Sequence, residues 1–169
     1  MSYKSRVLSI DGGGIRGIIP AMILTEIESR LKKPICELFD LIAGTSTGGI
    51  LTCGLTKPHS FHPGKPQFKA KDLVEMYKNE GSRIFYESPL GKVLSIDDWV
   101  HPKFASIGRD QVLTEYLGVT KLKEALTDIL ITSYDIEMRA PVFFVNDPKK
   151  EETASRTYRK VISHSKKHG

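Results

Sequence analysis

The apolar run Phe39-Asp40-Leu41-Ile42-Ala43 leads directly into Gly44-Thr45-Ser46-Thr47-Gly48, which opens a stretch of small and apolar residues through Leu55. A short strand, a Gly-x-Ser-x-Gly turn and a helix leave the backbone little choice. The chain must reverse sharply, and the flanking glycines remove the Cβ atoms that would collide as it does so. The pattern predicts a nucleophile elbow in which Gly44, Thr45, Thr47 and Gly48 form the turn. Ser46 is then held in a strained conformation with its hydroxyl at the end of the sheet. The same position begins a helix, where free amides and the helix dipole favour negative charge on a bound substrate. Taken alone, the motif fits a glycine-rich turn with an exposed serine just as well.

Upstream, Arg6-Val7-Leu8-Ser9-Ile10 reads as a buried strand that runs into Asp11-Gly12-Gly13-Gly14-Ile15-Arg16-Gly17 before a long helical pattern. Strand, glycine loop and helix make an anion-binding geometry. The amides of Gly12, Gly13 and Gly14 can turn toward one point, which suits a phosphate or the oxyanion of a tetrahedral intermediate. Arg16 adds a positive charge beside them. Gly12 to Gly17 also matches Gly-x-Gly-x-x-Gly, so a nucleotide-binding Rossmann-like domain is the rival reading. That rival expects an acidic residue at the end of the second strand, where this chain has Gly44-Thr45-Ser46 and where Asp40 comes too early.

Both motifs, their order and their separation resemble the patatin-like phospholipase family, strongly over residues 5–56 and as a general pattern beyond. The resemblance implies an α/β fold, a three-layer sandwich with a mainly parallel central sheet, with residues 5–169 forming a partial domain. It implies a lipid acyl hydrolase with a Ser-Asp dyad. In that scheme Ser46 is the nucleophile, the Gly12, Gly13 and Gly14 amides form the oxyanion hole, and Arg16 contacts the anionic part of the substrate. The family's aspartate lies in a later Asp-Gly-Gly or Asp-Gly-Ala motif, and no Asp-Gly follows Asp11-Gly12 in this sequence. A serine hydroxyl is a poor nucleophile until a base takes its proton. The expectation is therefore a domain truncated before the catalytic aspartate strand, a catalytically incomplete fragment. The alternative is a non-catalytic remnant or a binding protein of the same fold. The aspartates at 72, 97, 98, 110, 128, 135 and 147 read as surface charges or helix caps.

The remaining pattern is that of an α/β chain. Residues 18–33 form a crossover helix with Ile19, Met22, Ile23, Ile27 and Leu31 on its inward face and Glu26, Glu28, Arg30 and Lys32 on the other. Pro58, Pro63, Gly64 and Pro66 mark a loop, helices follow over 70–79 and 109–117, and strands over 128–135 and 140–146, with Pro141 suited to an edge. The polar stretch from Asn146 reads as a solvated turn, and the basic end of the chain as a frayed helix or tail. Cys36 and Cys53 are expected to be free buried thiols, and His59 with His62, or His164 with His168, lacks the acidic or thiolate company of a metal site. No cofactor and no metal are expected.

With 40% apolar residues, 169 residues suffice for one buried core. A formal charge of +5 suits anionic lipid interfaces, although the charges are spread along the chain. Phe61, Phe68, Phe85, Tyr86 and Trp99 place aromatics in the middle segment, where a lipid-facing lid or simple core packing would use them. The expected partner is a phospholipid or other fatty-acyl ester, with peripheral membrane contact and no nucleic acid. Without a signal peptide or an apolar run of membrane length, the expected location is cytoplasmic.

Overall fold

The structure, a computed structural model, describes residues 4–85, 102–135 and 139–147. Strand β1 (Val7–Ile10) passes through a 3-10 turn (Gly14–Gly17) into α1 (Ile18–Leu31). A short helix α2 (Ile35–Leu38) precedes β2 (Leu41–Thr45), and α3 (Thr47–Thr56) follows after one intervening residue, Ser46. Two longer helices, α4 (Ala70–Phe85) and α5 (Pro102–Leu117), lead to β3 (Asp128–Asp135) and β4 (Ala140–Val145).

The four strands form one sheet in the order β1-β2-β3-β4. The first three are parallel, with Ile10 opposite Gly44 and Gly44 opposite Ile131. The last pair is antiparallel, and Pro141 sits on β4 opposite Tyr134 at the edge of the described sheet. This is the α/β, mainly parallel architecture read from the sequence. The strands at 128–135 and 140–145 fall where the apolar runs put them.

Helix α3 lies against β1, β2 and β3, and every residue from Thr47 to Thr56 is buried. Its threonines survive there because Thr52 Oγ1 and Thr56 Oγ1 donate to the carbonyls of Gly48 and Thr52, at 2.9 and 2.7 Å. Helix α4 covers α3 and is flanked by α1 and α5. Ile42, Leu51, Leu55, Leu73, Met76, Tyr77, Leu113 and Phe144 fill the space between sheet and helices, all 2% exposed or less. The steps β1 to β2 and β2 to β3 run in one direction across the sheet, and right-handed crossovers then put their helices on one face. The opposite face, with Val7, Ser9 and Leu130, is exposed or half-buried among the described residues.

The crossover helix corrects one expectation. Ile19, Met22, Ile23 and Leu31 are exposed at 56–58%, whereas Ala21 and Leu24 are buried. Glu28, expected on the solvent side, is half-buried. The helix is apolar on more than one side, and its packing against α4 selects the 21-24-28 row, one turn apart at each step. The exposed stripe borders a groove of about 410 Å³ between α1 and β1, lined by Leu8, Ile19, Ile23 and Ile27 together with the glycine loop.

Glu28 joins three helices, since one carboxylate oxygen accepts from the Ile35 amide at 3.0 Å and the other from the Ala70 amide at 2.8 Å. Burial raises its pKa above the ordinary carboxylate value, while those two amides pull the other way. A folded pKa above the unfolded one means that this contribution is full below the unfolded value and fades as pH rises through the folded value. Glu28→Gln keeps one acceptor and leaves the second amide without its partner, an expected loss of about 1–2 kcal/mol. The gap in melting temperature between the two proteins should narrow as pH rises above the ordinary glutamate value of 4.5.

The thiols of Cys36 and Cys53 are free and buried, and burial pushes Cys36 up to about 11. The segment after α3 closes on itself as a tight loop, with Pro58 bridged to Pro66 and the His59 and His62 rings 4.9 Å apart at its tip. No cluster of metal ligands and no helix long and apolar enough to cross a membrane occurs among the described residues. Phe68 packs on Tyr116 and Phe85 stacks on Tyr77, whereas Phe61 is 84% exposed. Tyr86, Trp99, Asp97, Asp98 and the basic end of the chain lie outside the described residues.

Candidate active site

Ser46 caps α3 with φ 54° and ψ −118°, a left-handed conformation that costs a non-glycine residue roughly 1–3 kcal/mol. The turn is enforced from both sides. A Cβ on Gly48 would lie 2.0 Å from the Ile10 carbonyl oxygen, and one on Gly44 would lie 2.3 Å from the Gly48 oxygen. Only glycines let α3 start this close to β1 and β2. Ser46 and Thr45 are consequently exposed at the carboxyl end of the sheet, while Thr47 and Gly48 are buried beneath them.

The glycine loop arrives at the same place from the neighbouring strand. Gly12 packs so closely that an added Cβ would sit 3.2 Å from both the Ser46 Cβ and the Thr45 oxygen. The Gly13 carbonyl is engaged by Arg16, accepting from its main-chain nitrogen at 3.2 Å and from Nε at 3.3 Å. That contact folds the loop back on its own turn. The amides of Gly13 and Gly14 have no acceptor among the described residues. Arg16 is itself exposed, with its guanidinium attached to the loop through this one bond.

Two further residues position the elbow, and neither was singled out by the sequence reading. Tyr77, on α4, hydrogen-bonds Thr47 through the two hydroxyls, and its hydroxyl also donates to the Thr47 carbonyl at 3.3 Å. Burial pushes this phenol up to about 12, so it stays protonated. Thr132, on β3, bonds the Thr45 hydroxyl at 2.7 Å and ties the rim of β2 to its neighbour. A tyrosine in an amphipathic helix and a threonine in a strand carry no signal of such roles; their long-range partners create them.

Among the described residues no base is bonded to the serine. Among the described residues Ser46 Oγ has no hydrogen-bond partner. Asp72 caps α4 through the Lys69 amide, and Asp40 pairs with Arg6 at the opposite end of β2, where that pairing holds its carboxyl below the usual range. An exposed, strained serine hydroxyl beside free amides and a cation is an arrangement suited to polarising a carbonyl group, but proton removal from a serine needs a further group.

A family model described as patatin-like phospholipase matches residues 8–167. Patatin-T5 of Solanum tuberosum is 40% identical over 161 residues, covering 90% of this chain and 39% of that protein. Patatin-like protein 4 of Arabidopsis thaliana is 39% identical over 145 residues, 82% of this chain and 36% of the relative. A protein named probable inactive patatin-3-Kuras 1, also from Solanum tuberosum, is 40% identical over 161 residues and covered to 41%. The chain thus spans about two fifths of the length of the curated relatives it matches.

Proposed function

The chain belongs to the patatin-like phospholipase family, and on that footing we propose that it is the nucleophile-bearing part of a serine lipid acyl hydrolase. Ser46 Oγ attacks the carbonyl carbon of a fatty ester, and the carbonyl oxygen becomes an oxyanion held by the Gly13 and Gly14 amides. The tetrahedral intermediate then releases the alcohol, which takes up the serine proton. Water finally frees the fatty acid and restores Ser46. The observation that carries this reading is the contact between the glycine loop and Ser46 at the carboxyl ends of adjacent parallel strands. Strained serine and free amides are the arrangement that covalent acyl transfer requires.

The proton acceptor in this scheme is an aspartate on polypeptide outside the described residues. The topology supports one place for it. Parallel sheets in α/β proteins are covered on both faces, and ligands bind where the strand order reverses. Steps from β1 toward β4 have covered one face, so a strand added beyond the free edge of β1 reverses the order and brings its own crossover to the open face. Such a strand would end beside Gly12 and Ser46 and would cover Leu8, Ile19 and Ile23 of the α1 groove. The relatives have the length to supply it. The second reading, a binding protein without turnover, is favoured by the absence of a base beside Ser46 among the described residues.

A phosphonofluoridate probe tests the nucleophile without requiring turnover. In a chain that includes the proton acceptor we expect one phosphonyl adduct, located at Ser46 by mass spectrometry and absent from Ser46→Ala; no adduct there under conditions that label an active relative would end the proposal. Arg16→Ala separates substrate contact from loop support in a chain that includes the aspartate. Activity should fall about tenfold on an anionic phospholipid and by less than about threefold on a neutral ester. Equal losses would mean that Arg16 serves only to hold the Gly13 carbonyl.

A further inference from the structure

The described surface carries a second cavity, of about 680 Å³, at the opposite end of the sheet from Ser46. It lies where α1 ends and α4 begins. Lys32 and Lys33 come from the end of α1, Lys65 from the Pro58–Pro66 loop, and Lys69 and Lys71 from the start of α4. Two carboxylates share the lining, Glu28 and Glu37. Glu28 commits both oxygens to the Ile35 and Ala70 amides, although Lys69 is close enough to act on it electrostatically. None of the five ammonium groups forms an ion pair among the described residues. Five cations facing one concavity with two acids between them make a positive groove whose walls are already tied together by Glu28.

We propose that this groove binds a small soluble anion carrying two or more phosphate groups. Its volume is within the roughly 300–1,000 Å³ of small-molecule sites. All five cations are lysines, which meet phosphate as point charges without the planar, bidentate demands of arginine. Among the described residues no aromatic ring lines the cavity, which therefore lacks the stacking platform used for nucleic-acid bases. The distance to Ser46 excludes the lipid substrate as its ligand. Helix α1 alone spans about 20 Å between the glycine loop and Lys32, and a bilayer held by the lysines would leave Ser46 facing away from it. The inference goes beyond the hydrolase reading and stands without it.

Titration calorimetry with pyrophosphate and with inositol hexakisphosphate tests the site on the whole chain. Saturable binding that weakens as salt is raised is expected for both, tighter for the more highly charged probe. Lys65→Glu/Lys71→Glu should weaken it at least about tenfold. The far-ultraviolet circular dichroism should not change, since both lysines are exposed and a glutamate in the first turn of α4 favours that helix. If the double variant does not fold, each single substitution should still weaken binding about threefold. Amide exchange should slow on addition of pyrophosphate at residues 32, 33, 65 and 67–71. Absence of saturable binding would overturn the proposal, as would affinity that survives the charge reversals. Flotation with phosphatidylcholine vesicles, with and without phosphatidylinositol bisphosphate, distinguishes the source: binding to the lipid-borne phosphates alone would also overturn it and assign the lysines to a membrane surface.

Discussion

Ser46→Ala should lower kcat on a phospholipid by roughly 10⁴–10⁶ in a chain that includes the dyad aspartate, while leaving the melting temperature almost unchanged. The magnitude is that of removing the nucleophile from a serine hydrolase, where the surviving oxyanion hole and binding still accelerate the reaction about 10³–10⁴-fold over water. The fold should tolerate the change because the Ser46 side chain is exposed and opens no cavity when shortened. Residues 1–169 on their own should hydrolyse activated esters slowly, since a good leaving group partly relieves the need for a base, and should turn over phospholipid poorly. Assaying the chain, with and without Ser46→Ala, beside an active patatin relative checks both expectations. Ser46-dependent phospholipid hydrolysis by the 169 residues at the relative's rate would show that the base is already present or is supplied by a second copy.

A larger effect on stability is expected from a smaller chemical change. Gly48→Ala adds one methyl group, 2.0 Å from the Ile10 oxygen and 2.8 Å from its carbonyl carbon. Neither atom can move without breaking the pairing of β1 with β2, so α3 must withdraw from the sheet at the point where the elbow is formed. The cost should be about 4 kcal/mol or more, beyond the usual range for a single substitution, with a fall of about 10 °C or more in melting temperature. Gly64→Ala is the control. Its φ of 92° also disfavours a side chain, but no atom lies within 4 Å of the added Cβ. It should cost about 1 kcal/mol. Similar losses in the two variants, measured by thermal or urea unfolding, would mean that α3 can withdraw from β1 at little cost and that close approach does not fix the elbow.

The helices show where sequence patterns lose their hold. The pattern predicts a helix over 70–79, yet α4 continues to Phe85 through Gly81. Gly81 does not end the helix because its bare surface receives Ile15 from the 3-10 turn; a Cβ there would lie 2.3 Å from Ile15 Cδ1. Asn146, expected in a solvated turn, instead accepts from the Ile129 amide at 2.9 Å and donates to the Thr127 carbonyl at 3.1 Å, closing the start of β3. Both corrections involve contacts between residues far apart in the chain, which a local window does not contain. The α1 helix failed for a related reason, since a helix with apolar residues on several sides does not reveal which side another element will cover.

What the sequence determined by itself is the set of local, sterically exacting features. The elbow around Ser46, the glycine loop from Gly12 to Gly14 and the β-strands are written in residue types whose backbone preferences act within a few positions. Family membership followed from the order and separation of the two motifs. Tertiary structure alone decided which face of α1 is buried, that Tyr77 and Thr132 brace the elbow, and that lysines from three separate segments share one groove. Those outcomes depend on packing between distant parts of the chain, where the energy lies in burial and pairing and not in any residue's own conformational preference.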